Sequence, residues 1–141
     1  MHIEDRVEID ASTDEVWALT VDVERWPEAT PTMTSIERLG DEPLGVGSQA
    51  RIKQPRMRPA VWTVTRFEPG RHFAWATNVL GMRLEGGHHL EGDSSRTVNT
   101  LTLDVTGPMA PVLGRLVAGQ FRKAIANENQ GFKRTAEDAR T

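Results

Sequence analysis

The chain has 141 residues, with seventeen Lys and Arg against twenty Asp and Glu for a net charge of −3, and its length fits one ordinary domain spanning residues 1–141. It contains neither cysteine nor tyrosine, which excludes disulfides, thiolate metal sites, a Cys nucleophile and a phenolic proton donor. Its charges are interspersed and no basic stripe extends beyond Arg56-Met57-Arg58, so nucleic acid is not an expected partner. No run approaches the roughly 18 apolar residues of a membrane span. The charged opening Met1–Arg6 lacks the apolar core of a signal peptide, and a cytoplasmic location is expected.

Taken in order, Ile3, Val7 and Ile9 alternate with Glu4, Arg6 and Glu8, the period of a half-buried strand. Ser12-Thr13-Asp14-Glu15 reads as a capping box that opens a short helix through Val16, Trp17 and Leu19. Asp22 caps a second short helix through Trp26, which Pro27 is expected to end. Strands follow over Met33–Leu39, Ser48–Gln54, Ala60–Phe67 and His72–Thr77, the last two joined by Glu68-Pro69-Gly70-Arg71. Met82–Glu91 and Arg96–Thr106 make a further hairpin across Gly92–Ser95. From Met109 the period becomes helical: Leu113, Leu116, Val117, Phe121, Ala124, Glu128 and Phe132 form one amphipathic stripe. The order predicts an α+β fold in which a curved, seven-stranded antiparallel sheet faces one long C-terminal helix, with two short helices after the first strand.

One helix does not fill the concave side of such a sheet, so bulky inward residues or a ligand must. Strand alternation points Trp62, Val64, Phe73, Trp75, Met82, Leu84, His88, Leu90, Leu101 and Leu103 inward, with space left at Gly86. From the helix, Leu113, Leu116, Val117 and Phe121 are expected to face them. Thr77 and Asn99 share the inward parity, and either contact a ligand or satisfy each other. His88 shares the face of Met82, Leu84 and Leu90, where an imidazole either acts as a base near neutral pH or is a buried, hydrogen-bonded core residue. Asp5 has the parity to orient a histidine. Adjacent His88 and His89 point to opposite faces, and no His-Glu-x-x-His pattern exists, so no metal site is expected. Neither Gly-x-Ser-x-Gly nor a phosphate-cradling glycine loop occurs, and no cofactor is expected.

The element order, with Ala11-Ser12-Thr13-Asp14-Glu15-Val16-Trp17 after the first strand, resembles the START-like (SRPBCC) superfamily. Within it, Glu24-Arg25-Trp26-Pro27, Trp62-Thr63-Val64 leading to Glu68-Pro69-Gly70-Arg71, and Gly87-His88 resemble the polyketide cyclase/dehydrase-like group. The resemblance covers nearly the whole chain. It implies the helix-grip fold, with a deep pocket between the sheet and the C-terminal helix.

Three functions fit these residues. The first is binding or carriage of a small hydrophobic molecule (a lipid, polyketide or aromatic compound), driven by apolar burial at about 25 cal/mol per Å². The second is a cyclase or dehydratase acting on a polyketide-like substrate with His88 as acid/base, placed by Asn99 or Thr77. The third is a partner-binding adaptor, although the outer strand faces carry mixed charge (Arg51, Lys53, Arg83, Glu85, Asp104) and offer no apolar patch. Monomer and homodimer both remain open.

Overall fold

Period-two alternation produces the sheet. In the computed structural model, which describes residues 1–139, the strands are β1 (His2–Ile9), β2 (Ser35–Leu39), β3 (Gln49–Lys53), β4 (Ala60–Glu68), β5 (His72–Val79), β6 (Met82–Gly92) and β7 (Thr97–Thr106). They form one seven-stranded sheet in the order β1-β7-β6-β5-β4-β3-β2. Five consecutive hairpins make a meander, and β1 closes it by pairing with β7, Ile3 opposite Leu103 and Val7 opposite Asn99. A bulge between Val64 and Arg66 breaks the β4–β5 register, and bulges of this kind bend and twist a strand. This is the helix-grip architecture.

Helix α1 (Thr13–Val21) starts on the expected capping box: the Glu15 amide donates to Ser12 Oγ at 3.1 Å, and the Ser12 amide donates back to Glu15 Oε1. The second short helix differs from expectation. A single 3₁₀ turn over Val23–Arg25 leads into α2 (Trp26–Ala29), and Pro27 lies in the first turn of α2 rather than at its end. The reason is that an N-terminal helical position needs no amide donor, so proline starts a helix as readily as it stops one.

The C-terminal helix begins with a π-helical turn over Ala110–Gly114 and continues as α3, Arg115–Asp138. Its inward face carries Ile125, Asn129, Phe132 and Ala136. Leu116 is nine residues before Ile125. At 100° per residue that is half a turn away, so Leu116 points to solvent with 75% of its surface exposed, contrary to its expected place in the inward stripe. Helix α3 approaches α2 closely at Gly131, where a Cβ would come within 2.2 Å of the Ala29 carbonyl oxygen. No helix among the described residues is long and apolar enough to cross a membrane.

Candidate functional site

A cavity lies between the concave face of the sheet and α3. Its wall is built from Ile52 of β3 and Gln54 just after it, Trp62 of β4, Trp75 of β5, Leu84, Gly86, Gly87 and His88 of β6, and Leu101, Thr102 and Leu103 of β7. Phe121, Ala124, Ile125 and Glu128 close it from the helix, and Trp26 and Met33 from the segment between β1 and β2. Its free volume is about 80 Å³, several times the roughly 10–15 Å³ that one water occupies by the same measure. Gln54, Trp62 and Leu84 also border an outer groove that runs past Thr77, Val79 and Leu80, so these three residues mark the mouth.

Gly86 makes the gap in this wall. A Cβ there would sit 3.9 Å from Trp75 Cδ1, 4.0 Å from the Trp62 ring and 3.9 Å from the Thr102 carbonyl oxygen, all ordinary contact distances. The absent side chain therefore leaves room beside the two indoles, which pack on each other at 6.1 Å between centroids. Trp26 forms the cavity floor. Its ring packs 5.1 Å from Trp75, 4.9 Å from His88 and 5.6 Å from Phe132 by centroids, and its Nε1–H donates to the Leu19 carbonyl at 3.1 Å.

Of the residues expected to face inward, Trp62, Trp75, Leu84, Gly86, His88, Leu101, Leu103 and Phe121 line the cavity. Val64, Phe73 and Met82 are buried in the core outside it. Leu113 and Val117 are half-buried before the helix reaches it, and Leu116 is exposed. The two inward polar candidates are engaged elsewhere. Thr77 Oγ1 donates to the Val61 carbonyl at 2.8 Å and borders the outer groove. Asn99 Nδ2 donates to Asn129 Oδ1 at 2.9 Å, and Asn129 Nδ2 in turn donates to Asp5 Oδ2 at 2.9 Å. Asp5 thus orients an asparagine, not a histidine, and the network ties α3 to β1 and β7. Thr77 and Asn99 also cannot satisfy each other, because β6 separates their strands.

His88 is enclosed by Trp26, Phe73 and Phe132, and its Nδ1 has no partner among the described residues. Burial, reinforced by the nearby His89 and His72, pushes its pKa down to about 3. The imidazole is therefore neutral at ordinary pH and a far weaker base than the sequence suggests. It can still give or take a hydrogen bond.

Within the cavity wall, the titratable group poised near neutrality is Glu128. It stands one helical turn before Phe132, with its carboxyl facing the cavity, and burial raises its pKa to about 7 against a small opposing effect from the Thr32 hydroxyl, which donates to Oε1 at 3.2 Å. The Thr30 and Thr32 hydroxyls lie 3.0 Å apart behind it. The signal for this residue is present in the sequence: a carboxylate occupies a position of the helix stripe otherwise filled by Phe121, Ala124 and Phe132. Such a group is expected to snorkel outward, and alternation of the strands says nothing about it.

No group of three or more His, Cys, Asp or Glu placed to hold a metal ion occurs among the described residues. No curated protein matches the sequence. Among solved structures, the chain is similar to a START superfamily protein from Mycobacterium smegmatis (17% identity, TM-score 0.75, covering 95% of this chain and 97% of that one). It is similar to the ZhuI aromatase/cyclase from Streptomyces sp. R1128 (20% identity, TM-score 0.68, covering 96% and 95%). The XoxI protein from Bacillus cereus is similar too (14% identity, TM-score 0.79, covering 99% and 98%). At these identities the likeness is one of fold. The sequence itself matches the family described as polyketide cyclase / dehydrase and lipid transport over residues 1–137. The chain belongs to that family.

Proposed function

We propose that the protein binds a small hydrophobic molecule in the cavity between the sheet and α3. The observation that carries this reading is the apolar cavity beside Trp62 and Trp75, where Gly86 leaves the wall without a side chain. Apolar contacts with the indoles, Leu84, Leu101 and Leu103 would supply affinity, and neutral His88, Gln54, Thr102 and Glu128 would orient a polar end. Native mass spectrometry of the purified protein should show a small molecule retained at one per chain. A bare chain that also shows no thermal shift with aromatic, polyketide-like or lipid compounds would sink the reading.

A second reading, dehydratase-type chemistry on the bound molecule, is favoured by Glu128. Its carboxylate would take the proton on the carbon next to a carbonyl, and the same carboxyl, now protonated, would return it to a hydroxyl one carbon further on, which leaves as water. His88 would hold the carbonyl oxygen by a hydrogen bond without itself changing charge. A carboxyl with a pKa of about 7 is matched to both steps. Glu128→Gln should then abolish turnover with affinity within a few-fold, and unchanged turnover would remove Glu128 from this role.

A further inference from the structure

The large apolar side chains left in solvent are concentrated at one end of the fold. Met1, Met57, Val61, Leu80, Met109, Val112 and Leu116 all lie there, and of the exposed large hydrophobic residues among the described ones only Val46 lies elsewhere. Contacts join the segments that carry them. The Met109 amide donates to the Gly81 carbonyl at 3.1 Å, the Met1 methyl lies against Gly114, and one groove links Met57 and Val61 to Leu80. Leu80 is 75% exposed at the tip of the β5–β6 turn with φ +51°, a conformation that branched or bulky residues seldom adopt. An exposed leucine is thus held out on a strained turn.

The charge of this end is as uneven as its polarity. Segments 54–62, 77–84 and 105–127 contain Arg56, Arg58, Arg83, Arg115, Arg122 and Lys123 but no Asp or Glu, in a chain of net charge −3; beside Met1, the acids Glu4 and Asp104 both pair with His2. Among the described residues, only Arg83 of these six is in an ion pair, with Glu85 at 3.5 Å. Lys123 follows Leu116 by two helical turns, on the same exposed side. The opposite end is mixed in charge: Asp10 pairs with Arg96 at 3.3 Å and Glu137 with Lys133 at 2.7 Å.

We propose that this end docks on an anionic lipid bilayer. Its apolar tips stand singly on a loop, a hairpin turn and a helix rather than forming a flat patch. That arrangement suits insertion between headgroups, with long cationic side chains reaching the phosphates. The cavity mouth at Gln54, Trp62 and Leu84 opens on this end, so docking would set the mouth against the bilayer.

Co-sedimentation with phosphatidylglycerol–phosphatidylcholine vesicles, compared with pure phosphatidylcholine, tests this. The protein should bind the anionic vesicles, bind the neutral ones far less, and release as salt is raised. Arg56→Ser and Arg58→Ser should each weaken binding roughly fivefold, Leu80→Ser with Leu116→Ser should weaken it further, and Val46→Ser should change nothing. All these positions are exposed, so the variants should melt like the parent. Absence of binding to either vesicle, indifference to lipid charge, or equal weakening by Val46→Ser would overturn the proposal. Gly86→Leu, which fills the cavity, should leave vesicle binding intact, so this surface and the cavity stand or fall separately.

Discussion

Replacing Glu128 with glutamine should change how stability depends on pH. The carboxyl has an ordinary pKa of 4.5 and one of about 7 in the fold. Between those values the unfolded chain has released the proton and the folded chain has kept it. Stability from this group is therefore fully present below pH 4.5 and falls as pH rises through 7. At about 1.4 kcal/mol per pH unit, the loss over that window is about 3 kcal/mol. His88 works in the opposite sense: its pKa is lowered from 6.5 to about 3, so its contribution is lost as pH falls through that range. Both proteins keep His88, and the difference between them isolates Glu128. Urea denaturation at about pH 4.5 and pH 8 should show Glu128→Gln gaining about 3 kcal/mol on the parent across the interval. Parallel curves would mean that Glu128 ionises freely in water, and its placement against the cavity would be wrong.

Other changes follow from packing. Gly131→Ala would place a Cβ 2.2 Å from the Ala29 carbonyl oxygen and should destabilise the fold by about 1–3 kcal/mol in thermal or urea unfolding; a neutral result would mean that α2 and α3 are not in close contact. Asn129→Ala leaves the buried Asn99 amide and the Asp5 carboxylate without their shared partner and should lower stability by roughly 2–4 kcal/mol in the same assay. Leu116→Ser, at an exposed position, should stay within about 0.5 kcal/mol of the parent, whereas a drop of 2 kcal/mol or more, the usual penalty for truncating a core leucine (about 2–5 kcal/mol), would put Leu116 back on the inward face.

Strand parity was the most legible feature of the sequence. Met82, Leu84, Gly86, His88 and Leu90 fall on one face of β6 as alternation requires, and the Ser12–Glu15 box forms with both reciprocal bonds. The helix was less legible, because three- and four-residue steps admit a wide stripe and only the sheet selects its centre. Leu116 satisfied the stripe and failed the phase. The polar residues were the least legible. Parity gives a face but not a partner, so Asn99 and Thr77 looked available when Asn129 and the Val61 carbonyl take them. His88 looked like a base because its position was readable and its three aromatic neighbours, from separate elements, were not. Glu128 is illegible for the complementary reason: a helix carboxylate faces water by default, and only the fold sets it against the cavity and the Thr32 hydroxyl.

The cavity itself is tested most directly by comparing the parent with Gly86→Leu. Titration with 2-naphthol, followed by isothermal titration calorimetry, should saturate in the parent. The variant, with leucine atoms in the cavity against the two indoles, should bind at least about tenfold more weakly (about 1.4 kcal/mol) while its melting temperature holds. Equal titration of the two proteins would place the molecule somewhere other than the space at Gly86, contradicting the proposed binding site.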